Sequence, residues 1–393
     1  MQDRINIPTF IFLTAAILFF INFIYALSYL TGDYPNSYVW GEIFIKYTDG
    51  FIRRGLIGSL LFQLSGIINP CLLWTSCIAF IYVYFFIKVY TLFKDNINYF
   101  FTIILFFSPS LIAFSVKDKY LFGRKDILIL LFIFLIMSQC AKIIKSRQAS
   151  PCTWIKIGVC YALSFLAHEI TLFFSLLPAL LVVAASGRKK VLAAALIFVT
   201  FCFSVFLAVY YQGTEAIRDT MIADWRSVIP NFTTSGGMEY IGTSLAQNMN
   251  ISHDWLKSYK FVKSYIYAWI LTLLPILLFL YVYNFHHISN RVIGKFLTWC
   301  SYLCALFPAI TLTKLINDFG RIVSYSSVIF IIYAIFIISI YKNNYGEIKT
   351  KSFADILDFQ NIYVLIPSIY YILCWKLHHW VPLTTPSIIS SIF

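Results

Sequence analysis

Apolar runs of the length a helix needs to cross a bilayer, about 20 residues, recur along this chain near 8–30, 72–93, 98–116, 127–144, 153–169, 170–187, 191–211, 264–285, 293–313, 322–341 and 361–377. Eleven such runs predict an all-α fold, a polytopic transmembrane helical bundle. The composition agrees: 60% of the 393 residues are hydrophobic, 12% are charged, and the mean hydropathy is +0.79. A water-soluble chain carries about 25% charged residues to cover its surface, so the excess apolar area here must face lipid. Leu56–Ile68 is apolar but short, and reads as a re-entrant or interfacial segment. Neither an internal repeat nor a Gly/Ser linker divides the chain, so 1–393 reads as one integral membrane domain with one polar excursion, 212–263.

The net charge of +13 is not arranged as a basic stripe on a polar helix, which argues against nucleic acid. Positive charge in a polytopic chain instead marks cytoplasmic loops. With the N-terminus and Arg4 inside and Leu56–Ile68 not crossing, the cytoplasmic connections carry Lys88 and Lys94, then Lys142, Lys145 and Arg147, then Arg188 to Lys190. Further on they carry Arg291 and Lys295, then Lys342, Lys349 and Lys351. This parity puts 212–263 and the C-terminal tail on the extracytoplasmic side. The first run is too long for a signal-peptide h-region and lacks a small-residue cleavage site, so it is kept as a helix. The nine cysteines lack zinc or disulfide spacing and read as small core residues.

Under that topology four charged clusters share the outer face. Asp49-Gly50-Phe51-Ile52-Arg53-Arg54-Gly55 follows the first run, Phe122-Gly123-Arg124-Lys125-Asp126 opens the fourth, His168-Glu169 closes the fifth, and Asn317-Asp318-Phe319-Gly320-Arg321 links the ninth and tenth. Charges at membrane depth are costly unless paired or lining a wet cavity, so the clusters predict one polar cavity open to the exterior. Adjacent Arg53 and Arg54 offer forks for phosphate or carboxylate, and the flanking glycines would let backbone approach a ligand. The bland alternative is snorkelling to lipid headgroups.

Arg124 and Lys125 suit anion binding, with Asp126 as their partner or as a base; a solvated turn with local ion pairs is the alternative. His168-Glu169 is isolated from other charge between Gly158 and Gly187. A carboxyl group there is partly desolvated and suited to proton transfer, or else closes a helical corner as a structural pair. Asp318 and Arg321, three apart, would pair with each other or hold acceptor or phosphate. His286-His287 and His378-His379 lack a third ligand nearby, so no metal site is expected. In 212–263, acids and arginines beside Trp225 and Trp255 suit sugar rings, or make an amphipathic lid on the membrane. There is no P-loop, dinucleotide fingerprint or H-E-x-x-H.

At these four motifs the chain resembles the Wzy-type polymerases of bacterial O-antigen and capsule clusters. In that family an outward GF-[IV]-RRG-L-[IL]-G block is followed by FGRKD-like, HE and D-x-GR elements. Here these are Gly50–Gly58, Phe122–Asp126, His168-Glu169 and Asp318–Arg321, across about residues 35–325. The resemblance implies an enzyme of the bacterial inner membrane, its active site facing the periplasm. It would transfer a glycan from undecaprenyl diphosphate to a hydroxyl of a lipid-linked repeat unit. It also implies no cofactor, the lipid-linked oligosaccharide and a chain-length regulator as partners, and no nucleic acid.

Arg53, Arg54 and Arg124, with Lys125, would stabilise the diphosphate leaving group. Glu169 with His168 would be the base, Asp49 the second choice, while Asp126, Asp318 and Arg321 would position acceptor or phosphate. Where some members have a second large arginine-rich loop, this chain has one excursion of about fifty residues. A C-fold glycosyltransferase drawing on polyprenyl-phosphate sugars is the alternative, with Asp49 in its first outward loop but no second acid in a D-x-D or E-x-D pair. A non-catalytic transporter of lipid-linked oligosaccharide would instead spread its polar groups along a path.

Overall fold

The computed structural model describes residues 7–47, 52, 54–211, 213–234, 236–242, 259–312, 319–348, 362–369 and 371–372. The described residues form helices and connections, with no strand. In chain order the helices are α1 (Ile7–Gly32), α2 (Tyr38–Ile43), α3 (Gly55–Leu64), α4 (Pro70–Asn96), α5 (Tyr99–Phe107), α6 (Phe114–Lys117), α7 (Lys119–Phe122), α8 (Asp126–Ser146) and α9 (Pro151–Ala167). They continue as α10 (Thr171–Phe174), α11 (Leu176–Ala185), α12 (Lys190–Tyr210), α13 (Glu215–Val228), α14 (Tyr259–Val282), α15 (Phe285–Ile293), α16 (Lys295–Leu312), α17 (Phe319–Tyr345) and α18 (Ile362–Ile369).

Among the described residues six helices are long and apolar enough to cross a membrane: α1, α4, α8, α12, α16 and α17. There are seven if the pair Trp269–Val282 and Phe285–Ile293, bent by 70°, is one span. The described residues are therefore all-helical, and the chain is a multi-pass membrane protein. Nearly all of α12 is exposed, with Val191 at 84% and Phe198 at 67%, a surface that only lipid would cover favourably.

Other apolar runs break into shorter helices at identifiable residues. α5 stops at Phe107 because Ser108 precedes Pro109 and takes an extended ψ of 131°. The run 170–187 divides at Ser175 into α10 and α11. α3 has ten residues, about 15 Å of helix against a hydrocarbon core of about 30 Å.

The chain forms two compact units. One comprises Met1–Tyr25, Phe86–Asp118 and Ile251–Phe393; the other comprises Ala26–Phe85 and Lys119–Asn250. In the first, α14, α15 and α16 pack around α17, whose apolar stretch is entirely buried. In the second, α8 packs against α9 and α11, α3 packs against α9, and α2 packs against a single turn, Gly236–Met238. These contacts assemble the site. The cysteines correct one expectation: among those described only Cys140 is buried, whereas Cys77, Cys152 and Cys202 are exposed on helix surfaces. A thiol behaves as a small apolar group, so a lipid-facing position suits it as well as a core position.

Candidate functional site

The site is built on α2, whose Val39, Trp40, Gly41, Glu42 and Ile43 are all buried. Trp40 donates its indole N–H to the Leu30 carbonyl at 3.0 Å and stacks on Phe44 with ring centroids 5.3 Å apart. Phe44 in turn meets Trp225 of α13 at 4.2 Å, and the Trp225 indole donates to the Phe44 carbonyl at 2.7 Å. These aromatic contacts fix α2 and with it Glu42, an acid with 0% exposure. Lys46 leaves the same segment to pair with Asp224 at 2.5 Å and lies 4.1 Å over the Phe62 ring.

Glu42 is shared. Its Oε2 accepts from Arg124 Nε at 3.0 Å and lies 2.9 Å from Arg124 Nη2, while its Oε1 faces His168 Nε2 at 3.4 Å. Arg124 also covers the Tyr38 ring at 4.9 Å and donates to the Tyr38 hydroxyl at 3.4 Å. His168 is where α9 ends: its φ of −167° and ψ of 132° are extended and turn the ring inward. His168 Nδ1 accepts the Ile170 backbone N–H at 3.1 Å, so in this arrangement the ring is neutral, with its proton on Nε2 toward Glu42. Burial, and then the nearby Arg54 charge, hold the His168 pKa below its ordinary value, which agrees with a neutral ring.

On the other side of the imidazole, Glu169 Oε2 lies 3.2 Å from His168 Nδ1. Glu169 is forked by Arg54, whose Nε donates to Oε1 at 2.8 Å and Oε2 at 2.7 Å while Nη2 also pairs with Oε1. Burial opposes the charge on Arg54, but Glu169 beside it outweighs burial and raises the guanidinium pKa. Arg54 caps α3 with a φ of +69°, a left-handed conformation uncommon for a residue with a Cβ. Lys125 Nζ donates to the Arg54 carbonyl at 2.8 Å and so holds that backbone in place. Burial pushes the Lys125 ammonium down to about 8. Asp126, 1% exposed, opens α8, where the helix dipole favours an acid.

Three cations, Arg54, Arg124 and Lys125, thus meet three acids, Glu42, Glu169 and Asp126, around one neutral histidine. Burial of Arg54, Arg124, Glu42 and Glu169 is tolerated because those four charges are paired and hydrogen-bonded. Their exposure is uneven: the Arg124 and Glu42 side chains are 3% and 0% exposed, while those of Arg54 and Glu169 keep 20% and 16%. The mouth of the network is the Arg54–Glu169 pair.

The sequence motifs FGRKD and HE, and Arg54 of the arginine pair, meet here, so these charges are neither a solvated turn nor headgroup anchors. Asp49, Arg53 and Asp318 lie outside the described residues. Arg321, 2% exposed in the first turn of α17, belongs to the other unit. Two glycines of the arginine motif serve internal packing rather than a ligand. A Cβ at Gly55 would meet the Tyr47 ring at 2.4 Å, and one at Gly58 would meet the Ile45 carbonyl oxygen at 2.2 Å. Trp225, expected beside sugar, is 0% exposed and holds α2 instead.

Glu42 and Tyr38 are the site residues that sequence reasoning missed. The available signal was a single acid inside the apolar stretch Val39-Trp40-Gly41-Glu42-Ile43-Phe44. The turn at Gly236–Met238 covers them: Gly237 lies against Glu42, and Gly236, with a φ of +58°, lies against the Tyr38 carbonyl. Among the described residues no three His, Cys, Asp or Glu side chains are grouped to hold a metal ion.

Comparison with family models, curated proteins and solved structures finds no match. The chemistry is therefore read from the residues. A partly open guanidinium beside a carboxylate can bind an anion and accept a proton at one place, with a rigid charged wall behind it.

Proposed function

We propose that this protein is a polysaccharide polymerase of Wzy type in the bacterial inner membrane, extending a glycan carried on undecaprenyl diphosphate. The observation that carries the reading is the Arg54–Glu169 pair at the open edge of a buried network that also holds Arg124 and Lys125. A diphosphate leaving group needs cations where charge develops, and an acceptor hydroxyl needs a base; the site has both within one cluster.

In the proposed reaction Glu169 takes the proton of the acceptor hydroxyl of a lipid-linked repeat unit. That oxygen bonds to the anomeric carbon of the growing glycan, the bond from that carbon to the diphosphate oxygen breaks, and its electron pair leaves with undecaprenyl diphosphate. Arg54 meets the leaving charge, and Arg124 and Lys125 add to the positive field. The eleven-span topology, with the network and residues 212–263 on the periplasmic side, belongs to this proposal.

The test is polymerisation in proteoliposomes supplied with undecaprenyl-diphosphate-linked repeat units, read as a ladder of chain lengths. Loss of a general base costs on the order of 10²–10⁴ in rate, so Glu169→Gln should abolish the ladder. A ladder unchanged by Glu169→Gln would remove Glu169 as the base.

A further inference from the structure

We propose that the Arg54–Glu169 ion pair is a latch opened by the phosphate groups of the ligand. A diphosphate takes the guanidinium fork of Arg54, and the displaced Glu169 is then released to act as a base. The inference deepens the polymerase reading and rests on it for the identity of the ligand.

In the structure Arg54 spends its Nε on both Glu169 oxygens and its Nη2 on one of them. A carboxylate whose lone pairs are held by a guanidinium is a poor proton acceptor. The base and the anion binder therefore occupy each other until a stronger partner arrives. A diphosphate is such a partner, because it brings more charge and more acceptor oxygens to the same fork than a carboxylate does.

The surroundings allow this exchange at one pair only. Glu42 is hydrogen-bonded by Arg124 and faces His168 at 3.4 Å, with no exposure, so the inner pair stays closed. Arg54 and Glu169 keep 20% and 16% exposure, enough for an entering group to reach them. The Arg54 backbone is held through its carbonyl by Lys125, so side-chain rotation, rather than movement of the chain, swings the fork. In the closed latch Glu169 Oε2 lies 3.2 Å from His168 Nδ1, itself an acceptor and so no competitor of Arg54 for the carboxylate. The latch makes proton acceptance conditional on a bound diphosphate, which guards the site against idle chemistry with water.

The experiment measures pyrophosphate binding to the full-length protein in nanodiscs, with undecaprenyl diphosphate as a second arm to separate free from lipid-borne diphosphate. Glu169→Gln removes the competing carboxylate and should tighten pyrophosphate at least about tenfold, the scale of one charge-assisted bond. Arg54→Lys, which lacks the fork, should weaken it by a similar factor. Weaker or unchanged pyrophosphate binding by Glu169→Gln overturns the latch.

If that variant does not fold, infrared difference spectra of the native protein decide. Pyrophosphate should shift a carboxylate band, and no carboxylate change overturns the proposal. Lost polymerisation by Glu169→Gln without tighter binding would leave the polymerase reading standing and remove the latch. Tighter binding with polymerisation intact would keep the exchange and remove Glu169 as the base. Binding of lipid-borne but not free pyrophosphate would show that the lipid arm supplies the opening anion.

Discussion

Lys125 donates from Nζ to the carbonyl oxygen of Arg54 at 2.8 Å, tying the start of α8 to the cap of α3 across 71 residues of chain. The residue it holds has a φ of +69°, so the lysine stabilises a backbone conformation that its own sequence disfavours. Two motifs that look separate in sequence are therefore one device, in which FGRKD shapes the arginine that RRG supplies.

This gives a pH dependence. Burial lowers the Lys125 pKa from 10.5 to about 8, so in the folded protein its ammonium is present below about 8 and lost above it. Pyrophosphate affinity should therefore fall as pH rises through about 8, and Lys125→Met should flatten that limb. The linkage has the opposite sign for folding. Between about 8 and 10.5 the unfolded chain holds the proton that the folded chain has released, so the Lys125 contribution to stability improves with rising pH across that window. An affinity that rises with pH in the native protein would contradict the assignment.

The Glu42–Arg124 pair should show strong coupling. Either Glu42→Met or Arg124→Met leaves a buried charge without its partner, at a cost of about 3–5 kcal/mol. The double variant should lose much less than the sum, because it removes both charges from a site where they are 0% and 3% exposed. Thermal unfolding in detergent for the four proteins of the cycle measures this, and additive losses would show that the pair is not coupled.

Glycine substitutions separate close packing from open surface. Gly58→Ala puts a Cβ 2.2 Å from the Ile45 carbonyl oxygen, backbone that cannot move aside, whereas Gly158→Ala in α9 meets nothing within 4 Å. The first should lower the melting temperature sharply and reduce yield. The second should be neutral or stabilise by up to about 1 kcal/mol through helix propensity. Equal behaviour of the two would mean α3 does not approach the 43–45 segment as described.

Which parts of this site were legible in sequence follows from how each residue stands out. His168-Glu169 and Arg124-Lys125-Asp126 were visible because charge interrupts apolar runs, and such charge is costly without a role. Glu42 was not, since one acid among aromatic residues carries no motif and its partners lie 82 and 126 positions away. The helix breaks at Ser108 and Ser175 were missed because hydropathy sums composition over a window and ignores a local backbone turn. Trp225 was read as a sugar platform from its charged neighbours, yet those neighbours are tied down: Asp224 holds Lys46, and Arg226 donates to the Phe232 carbonyl at 3.1 Å.

That tying down predicts how α13 can be loosened. Trp225→Phe keeps a ring against Phe44 but removes the N–H that serves the Phe44 carbonyl at 2.7 Å. A buried acceptor left bare costs about 1–3 kcal/mol, so the variant should remain folded with α13 less firmly seated. Limited trypsin digestion should then cut faster after Arg218 and Arg226 than in the native protein, and an unchanged cleavage rate would show that the indole bond does not hold the helix.

The spacing of the ion pairs also orders events during synthesis. Glu42 waits 82 residues for Arg124, and Arg54 waits 115 for Glu169. A nascent chain therefore carries Glu42 unmatched until two further hydrophobic runs have been made, and Arg54 unmatched until four have. Those early segments have reason to linger beside the insertion machinery or at the lipid surface, and the arrival of His168-Glu169 completes the set that lets them settle. Chains stalled just short of residue 168 should be the ones that cellular quality control most readily removes.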